Sequence, residues 1–395
     1  MKRFNLPKMW KMAKLGECCT IISGSTPKRD MPEYWKNEIP WVTPKDISNL
    51  DQPDIDDAPE YISRKGFESC STTLLPKGTV LFSSRAPIGL VAITGREMCT
   101  NQGFKSLIPS LGINSRYLFF CMRYIAPTIA EMGNGATFKE VSKETMGRVL
   151  IPIPPINEQK EIAHVLESSW SIIRKRRETL RLADELLRSI FLDMFGDPIT
   201  NPKSWPKKPL GNLLSFLTSD PRGWAEYYSE NGAKFLRIQN VGKNRLLLDD
   251  IAFVTAPKGA EANRTRVQTG DVLLSITADL GRTAVIPEGF GEAHINQHLA
   301  ILRTKGIRPL FLSAYLASNG GQSQVKQLNK AGVKAGLNFD DIRSISVIVP
   351  PDGKQHDFEK AHTQVIALIE KANAALKDTN NLFLSLQQRA FQGEL

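Results

Sequence analysis

Two short constellations in this sequence have residue types that could do chemistry. Glu158-Gln159-Lys160 has the Glu-x-Lys form of a nuclease metal site, and His294 and His298 stand four apart. Neither supports a reaction. Glu158 falls in the first turn of a predicted helix, where acidic side chains are expected anyway because the unpaired N–H groups carry partial positive charge. The matching stretch later in the chain reads Lys354-Gln355-His356, without the acid. His298 aligns with Gly103 in an internal repeat described below, and no carboxylate–histidine set surrounds the pair. The chain has no Asn/Asp-Pro-Pro-aromatic motif to position an adenine amine, no Gly-rich strand–helix turn for S-adenosylmethionine and no phosphate loop. Its five cysteines (Cys18, Cys19, Cys70, Cys99 and Cys121) lie in the first third without CxxC spacing, so neither a disulfide framework nor a zinc site is expected. No catalytic residue and no metal site are assigned. Recognition chemistry is what remains.

The elements that would position recognising side chains follow from a tandem duplication. Pro7, Trp10, Leu15 and Gly16 recur as Pro202, Trp205, Leu210 and Gly211, an offset of 195. Gly78-Thr-Val-Leu-Phe-Ser83 recurs as Gly270-Asp-Val-Leu-Leu-Ser275, Ile88-Gly89 as Leu280-Gly281, Asn101-Gln102 as Asn296-Gln297, and Pro154-Pro155 as Pro350-Pro351. Each copy opens with a globular α+β part of about 150 residues. Short strand-like runs (Gly78 to Ser83, Val91 to Thr94, Val149 to Ile153) alternate there with helical stretches such as Ser115 to Met132 and Pro309 to Leu328.

Each copy closes with a long helix. Ile162, Leu166, Ser169, Ile173, Arg176, Leu180, Ala183, Leu187, Ile190 and Met194 keep a 4-3-4-3 spacing. Phe358, His362, Val365, Ile369, Ala372, Leu376, Thr379, Phe383, Leu386 and Ala390 repeat it 196 residues on. A repeat of 3.5 residues over more than four heptads marks a coiled-coil seam. The double prolines punctuate the start of each helix, and Asp352 with Gln355 reads as a capping box.

The chain has 395 residues, enough for two or three domains with real cores, and a formal charge of +10. Both helices are neutral: residues 157–195 carry 7 basic and 7 acidic residues, and 353–395 carry 5 of each. Residues 1–156 hold 20 basic and 15 acidic, and 196–352 hold 19 and 14, so the whole excess divides as +5 and +5 between the globular parts. A rod that only separates two bodies needs no net charge, whereas a domain gripping phosphates does. The N-terminus lacks the apolar core of a signal peptide and no apolar run reaches bilayer length, so a soluble, cytoplasmic protein with no membrane contact is expected.

Several motifs together resemble those of the specificity subunits of type I restriction-modification systems. They are Pro7-x-x-Trp10…Leu15-Gly16-Glu17, Pro40-Trp41-Val-Thr-Pro-Lys-Asp46-Ile47 and Leu81-Phe-Ser-Ser-Arg85-Ala-Pro-Ile-Gly89. To these add Ile151-Pro-Ile-Pro-Pro155-x-x-Glu158-Gln159 before a long helix and the terminal Phe391-Gln-Gly-Glu-Leu395. The second copy departs from the pattern at Lys354 and at Asp352-Gly353. The resemblance implies a non-catalytic DNA reader of double-stranded DNA with two similar target recognition domains, residues 1–155 and 198–351. It implies two spacer helices, 156–197 and 352–395, packed as an antiparallel coiled coil with pseudo-two-fold symmetry. Each domain would read half of a split, asymmetric target. The helices would dock two methyltransferase (modification) subunits, in a complex that two motor-nuclease (restriction) subunits can join. S-adenosylmethionine, ATP and Mg²⁺ would belong to those partners, with no cofactor in this chain. A self-contained DNA-modifying enzyme is disfavoured by the missing motifs. A two-headed DNA-binding regulator or architectural protein is disfavoured because no helix-turn-helix or zinc module is visible.

Direct readout favours Arg, Lys, Asn and Gln on loops, and phosphate contacts add Ser and Thr. The candidate DNA-binding residues are therefore Ser25, Thr26, Lys28, Thr43, Lys45, Arg85 and Lys139 in the first domain. In the second they are Arg222, Arg237, Gln239, Asn240, Arg282 and Lys334. Arg85 and Arg237 lead, since each follows a strand-like run.

The seam from Ile162 to Met194 covers 33 residues, roughly 48 Å of helix at about 1.5 Å per residue. That length matches about 14 base pairs, which places the half-site centres about one helical turn or slightly more apart. Seven residues inserted between Ala183 and Leu187 preserve the heptads and add about 10 Å. Methylation mapping should then show the same two half-sites with about three more unspecified base pairs between them. An unchanged spacer in a folded, active variant would mean that the helices do not set this distance.

Overall fold

The computed structural model describes residues 7–133, 139–219, 223–329 and 336–395. It divides into two compact units, Met1–Glu178 with Ala372–Leu395, and Thr179–Lys371. Two helices, Ile156–Phe195 and Asp352–Gln392, each contribute one half to each unit.

In the first unit a five-stranded sheet runs in the order Cys19–Ser23, Phe104–Pro109, Val80–Ser83, Val91–Thr94, Asp54–Ile55. All its pairings are antiparallel except the last. Its central strand is buried on both faces. Val80 and Phe82 point into one cluster with Ile93 and Leu107, and Leu81 points into another with Ala92 and Phe104. Burial on both sides is why this strand is a continuous apolar run rather than an alternating one. A second sheet pairs Ile39–Val42 with Glu60–Ile62 and Cys99–Thr100, and the strand Lys11–Lys14 returns against Leu150–Ile153.

The other unit repeats this plan. Leu214–Ser219, Leu299–Thr304, Val272–Ser275 and Thr283–Val285 form the main sheet. Val272 and Leu274 face one core, and Leu273 faces the other. Tyr228–Ser229, Ala252–Val254, Ala233–Leu236 and Ala293–Ile295 form the second sheet, and Lys207–Pro209 pairs with Ser346–Ile348.

The helix backing each main sheet differs between the units. Ser115–Glu131 is continuous, but the expected helix from Pro309 to Leu328 breaks at Ser318 into Pro309–Ala317 and Asn319–Leu328. Ser318 is extended at ψ 162° and its hydroxyl caps the second piece by accepting from the Gly321 amide. A Cβ at Gly321 would lie 2.4 Å from the Tyr315 carbonyl oxygen, so the turn closes only on glycine.

The long helices complete both cores with opposite ends. In the first unit Trp170 stacks on Phe119 at 5.5 Å, Phe383 meets Phe120 at 6.4 Å, and Phe391 stacks on Tyr124 at 5.1 Å. The other unit joins Phe191 and Phe195 to Phe358 and Phe311, with centroids 4.7 to 5.9 Å apart. The start of one helix thus shares a core with the end of the other, as an antiparallel pair requires. Every seam position read from the heptads is buried or half-buried.

The helix starts are fixed by buried amides. Gln159 donates to the Pro154 and Gly112 carbonyls and accepts from the Asn114 amide, each at 2.9 Å. Gln355 does the same with the Pro350 carbonyl (2.7 Å) and the Arg308 amide (2.9 Å). The expected Asp352–Gln355 capping box is therefore replaced, since Gln355 is spent on tertiary partners and Asp352 on the Arg308 guanidinium.

Four seam residues, Ser169, Arg176, His362 and Thr379, are polar, and His362 is the imidazole among them. His362 is buried and its Nε2 sits 2.9 Å from Asn244 Nδ2, so the ring accepts there and is neutral. Burial pushes its pKa down to about 4. With the folded value below the unfolded one, the unfolded chain takes up the proton first on acidification. Stability tied to His362 is present at neutral pH and falls between about pH 6.5 and 4. His362→Gln keeps a polar partner for Asn244 without titrating there, so the fall in melting temperature from pH 7 to 5 should be smaller in that variant. Equal slopes in the two proteins would rule His362 out as the cause.

Candidate nucleic-acid interface

The repeated Ser83–Leu90 and Ser275–Arg282 segments are the same loop. In each, the first serine's hydroxyl donates to a carbonyl four residues on (Pro87 at 2.7 Å, Asp279 at 2.6 Å) and accepts from an amide seven residues on (Leu90 and Arg282, both 2.8 Å). Each loop also holds an alanine in the left-handed region, Ala86 at φ 43° and Ala278 at φ 59°. Non-glycine residues rarely adopt that conformation, and such strain gathers at functional loops.

Each loop is hydrogen-bonded to the Asn-Gln turn of its own unit. The Ser84 amide donates to Gly103 O at 2.8 Å, and Ile276 N to His298 O at 2.9 Å. Asn101 and Asn296 close the turns by accepting from the amides two residues on. A third segment joins the frame through Val141 N to Ser84 O (3.0 Å) and Leu337 N to Ile276 O (2.9 Å). A fourth comes from the short helical turns after Val42 and Leu236. Asp46 Oδ2 accepts from the Thr43 amide at 2.7 Å, and Asn240 Oδ1 accepts from the Arg237 amide at 3.0 Å.

The candidate residues that are described lie on or beside this frame. In the first unit the Ser25 amide donates to Thr100 O at 3.0 Å, and Thr26 Oγ1 donates to Gln102 Oε1 at 2.5 Å. Gly24 makes this approach possible, since a Cβ there would lie 2.2 Å from the Thr100 and Asn101 carbonyl oxygens. Lys28, Lys45 and Lys139 are exposed and Arg85 is half-buried. In the other unit, Arg237 and Gln239 both bond Asp250, and Arg282 Nε donates to Asp279 Oδ2 at 2.6 Å. Asn240 is buried, its amide nitrogen spent on the Leu247 and Asp250 carbonyls. Arg222 and Lys334 lie outside the described residues.

The frame also contains Gln102 and Gln297, legible in the sequence only as repeat markers, His298, weighed there only as a metal ligand, and Thr277, not singled out. Thr277 Oγ1 lies 2.5 Å from His298 Nδ1, and Gln297 Nε2 lies 3.2 Å from His298 Nε2. His294 is elsewhere: buried, against Trp224 and Thr265, with burial lowering its pKa. Glu158 accepts from Trp10 Nε1 at 2.9 Å. No group of three His, Cys, Asp or Glu able to hold a metal occurs among the described residues, and no described helix is long and apolar enough to cross a membrane.

A family model described as the type I restriction modification DNA specificity domain matches residues 7–181 and 226–381, once per repeat. The chain belongs to this family. Its function is DNA sequence specificity in a type I restriction-modification system, as the recognising rather than the reacting subunit. The MjaIX specificity subunit of Methanocaldococcus jannaschii is 28% identical over 387 residues, covering 93% of this chain and 88% of that one. The EcoKI specificity subunit of Escherichia coli K12 is 25% identical, covering 100% and 91%. The type I S subunit from M. genitalium shares the fold with a TM-score of 0.61 at 13% identity, covering 99% and 98%.

In this type I specificity chain, an arginine packed against a T-shaped pair of indoles anchors the 24–29 loop. Arg29 bonds Glu60 through both Nη atoms at 2.6 and 2.9 Å, and its guanidinium lies 3.9 Å from the Trp35 ring centre and 4.9 Å from that of Trp41. Both indoles also hold the loop, Trp41 Nε1 donating to Ser25 O and Trp35 Nε1 to Lys28 O, each at 3.0 Å. The pair holds the Glu60 carboxyl below its ordinary range and Arg29 above its own. Arg29→Ala should cost about 1 kcal/mol of stability. It should also weaken binding to the half-site read by the first unit and leave the other intact. Unaltered recognition of both halves would show that the arginine–indole cluster does not position the loop.

Proposed function

We propose that this chain reads a bipartite, asymmetric DNA sequence, one half with each globular domain. In this reading it brings two methyltransferase (modification) subunits to the target, in a complex that two motor-nuclease (restriction) subunits can join. S-adenosylmethionine, ATP and Mg²⁺ are then the partners' cofactors, and the chain works in the cytoplasm.

One observation supports this most directly: the same loop frame occurs in both units with different side chains mounted on it. Thr43 and Lys45 correspond to Arg237 and Gln239 through the shared capping turn, Arg85 to Thr277 on the strained loop, and Gly103 to His298 in the Asn-Gln turn. A protein that holds two stretches of one duplex in the same manner but reads different bases needs this combination. We assign base and phosphate contacts to Ser25, Thr26, Lys28, Thr43, Lys45, Arg85, Lys139, Arg222, Arg237, Gln239, Arg282 and Lys334. Asn240 is assigned to the frame, because its amide has no group left to offer a base.

The test exchanges residues 1–150 for the matching domain of a relative and maps methylation by the chain with its methyltransferase. One half-site should change and the other persist, while the chain alone should neither methylate nor cut DNA. A simultaneous shift of both halves would refute one domain per half-site, and methyl transfer by the isolated chain would refute its non-catalytic role.

A further inference from the structure

Arg237 and Gln239 share one acceptor. Arg237 Nη2 donates to Asp250 Oδ2 at 3.1 Å and to the Asp250 carbonyl at 2.9 Å, and Gln239 Nε2 donates to the same Oδ2 at 3.2 Å. Asn240 Nδ2 ties the Asp250 carbonyl to the capping turn at 2.9 Å, so this backbone is fixed in place. The carboxylate is otherwise open, with the Asp250 side chain 78% exposed against 21% for Arg237.

This pose leaves Arg237 short of partners. Its Nε is buried with no hydrogen-bond partner among the described residues. A guanidinium presents a rigid fork of donors suited to a two-pronged acceptor, and here the Nε prong is idle. The first unit has no equivalent brake. Thr43 bonds Asp46 within its own turn, and the exposed Lys45 side chain makes no hydrogen bond or ion pair among the described residues.

We propose that Asp250 is a specificity-determining residue of the second domain. Its carboxylate holds the donors of Arg237 and Gln239 and yields them to a base edge offering paired acceptors. The inference rests on the DNA-reading role assigned above. A phosphate carries a full negative charge and is repelled by the carboxylate beside it, whereas the uncharged N7 and O6 of guanine fill the same guanidinium fork without that penalty. Selectivity of this kind needs a repulsive element as well as an attractive one, and Asp250 supplies it.

Three variants of the full chain test the proposal. Asp250→Asn keeps the shape and removes the charge, Asp250→Ala removes the acceptors too, and Asp249→Asn removes one exposed charge next door. Each is titrated with random-sequence duplex over a range of salt, then combined with its methyltransferase on a randomised target library. Both Asp250 variants should bind random duplex about tenfold more tightly, and should lose about tenfold in base preference within one half-site only. Asp249→Asn should do neither. If Asp249→Asn matches them, net charge is the cause and the proposal is overturned. Wild-type affinity and preference in the Asp250 variants overturn it as well. A wild-type complex that methylates no defined target refutes the DNA-reading role instead, and the random-duplex comparison of the two aspartates still decides the part played by Asp250.

Discussion

Each unit depends on apolar side chains delivered by distant parts of the chain. The core under the first sheet holds Leu118, Phe119 and Phe120, and it closes only with Trp170 and Ile173 from one long helix and Phe383 and Phe391 from the other. Phe391 is nearly 270 residues downstream of Tyr124, on which it stacks. Large aromatic side chains carry much of a core's burial energy, so the first unit is incomplete until the C-terminal segment arrives. The other unit is closed by Phe191, Phe195 and Phe358 around Phe311. The helices are therefore structural parts of the units they connect.

That arrangement explains what the repeat keeps and what it varies. The double proline, the buried glutamine (Gln159, Gln355) and the tyrosine whose hydroxyl donates to the last strand (Tyr117 to Pro152 O, Tyr315 to Ser346 O, both 2.7 Å) are the same device used twice. Each satisfies a buried polar group at the junction of sheet and long helix, where an unpaired carbonyl would be costly. The outer ends of the frame carry no such burden. There a threonine can become an arginine, or a glycine a histidine, without disturbing the core.

The heptads were legible because periodicity is a local signal, and the seam tolerates Ser169, Arg176 and His362 as long as its neighbours are apolar. The strand at Val80–Ser83 was legible as an apolar run bounded by turn residues, but its burial on both faces was not, because an uninterrupted run has no period. Partner choice was not. His362 reads as a weak seam residue, yet its partner Asn244 is 118 positions away in the globular domain. Gln355 reads as a cap and is consumed by Arg308 and Pro350. Asn240 reads as a base-reading amide, while Asp46, its structural counterpart, shows that the position caps a turn. In each case local propensity is right about polarity and blind to the tertiary bond that uses it.

At the candidate DNA-binding positions positive charge is also arranged differently in the two domains, although both carry the same net excess. On the first, Lys28, Lys45, Arg85 and Lys139 make no side-chain hydrogen bond or ion pair among the described residues. Such cations attract any duplex over a Debye length of roughly 10 Å, and they release counterions without first breaking internal bonds. On the second, Arg237 and Arg282 are already engaged with Asp250 and Asp279, and Arg303 with the buried Asp271. A ligand that takes up such a cation must exchange one set of charge-assisted bonds for another, which contributes little to affinity but makes the gain depend on how well the new acceptors fit. At the candidate positions the first domain thus presents unpaired cations and the second presents cations already paired, a difference that equal net charges conceal.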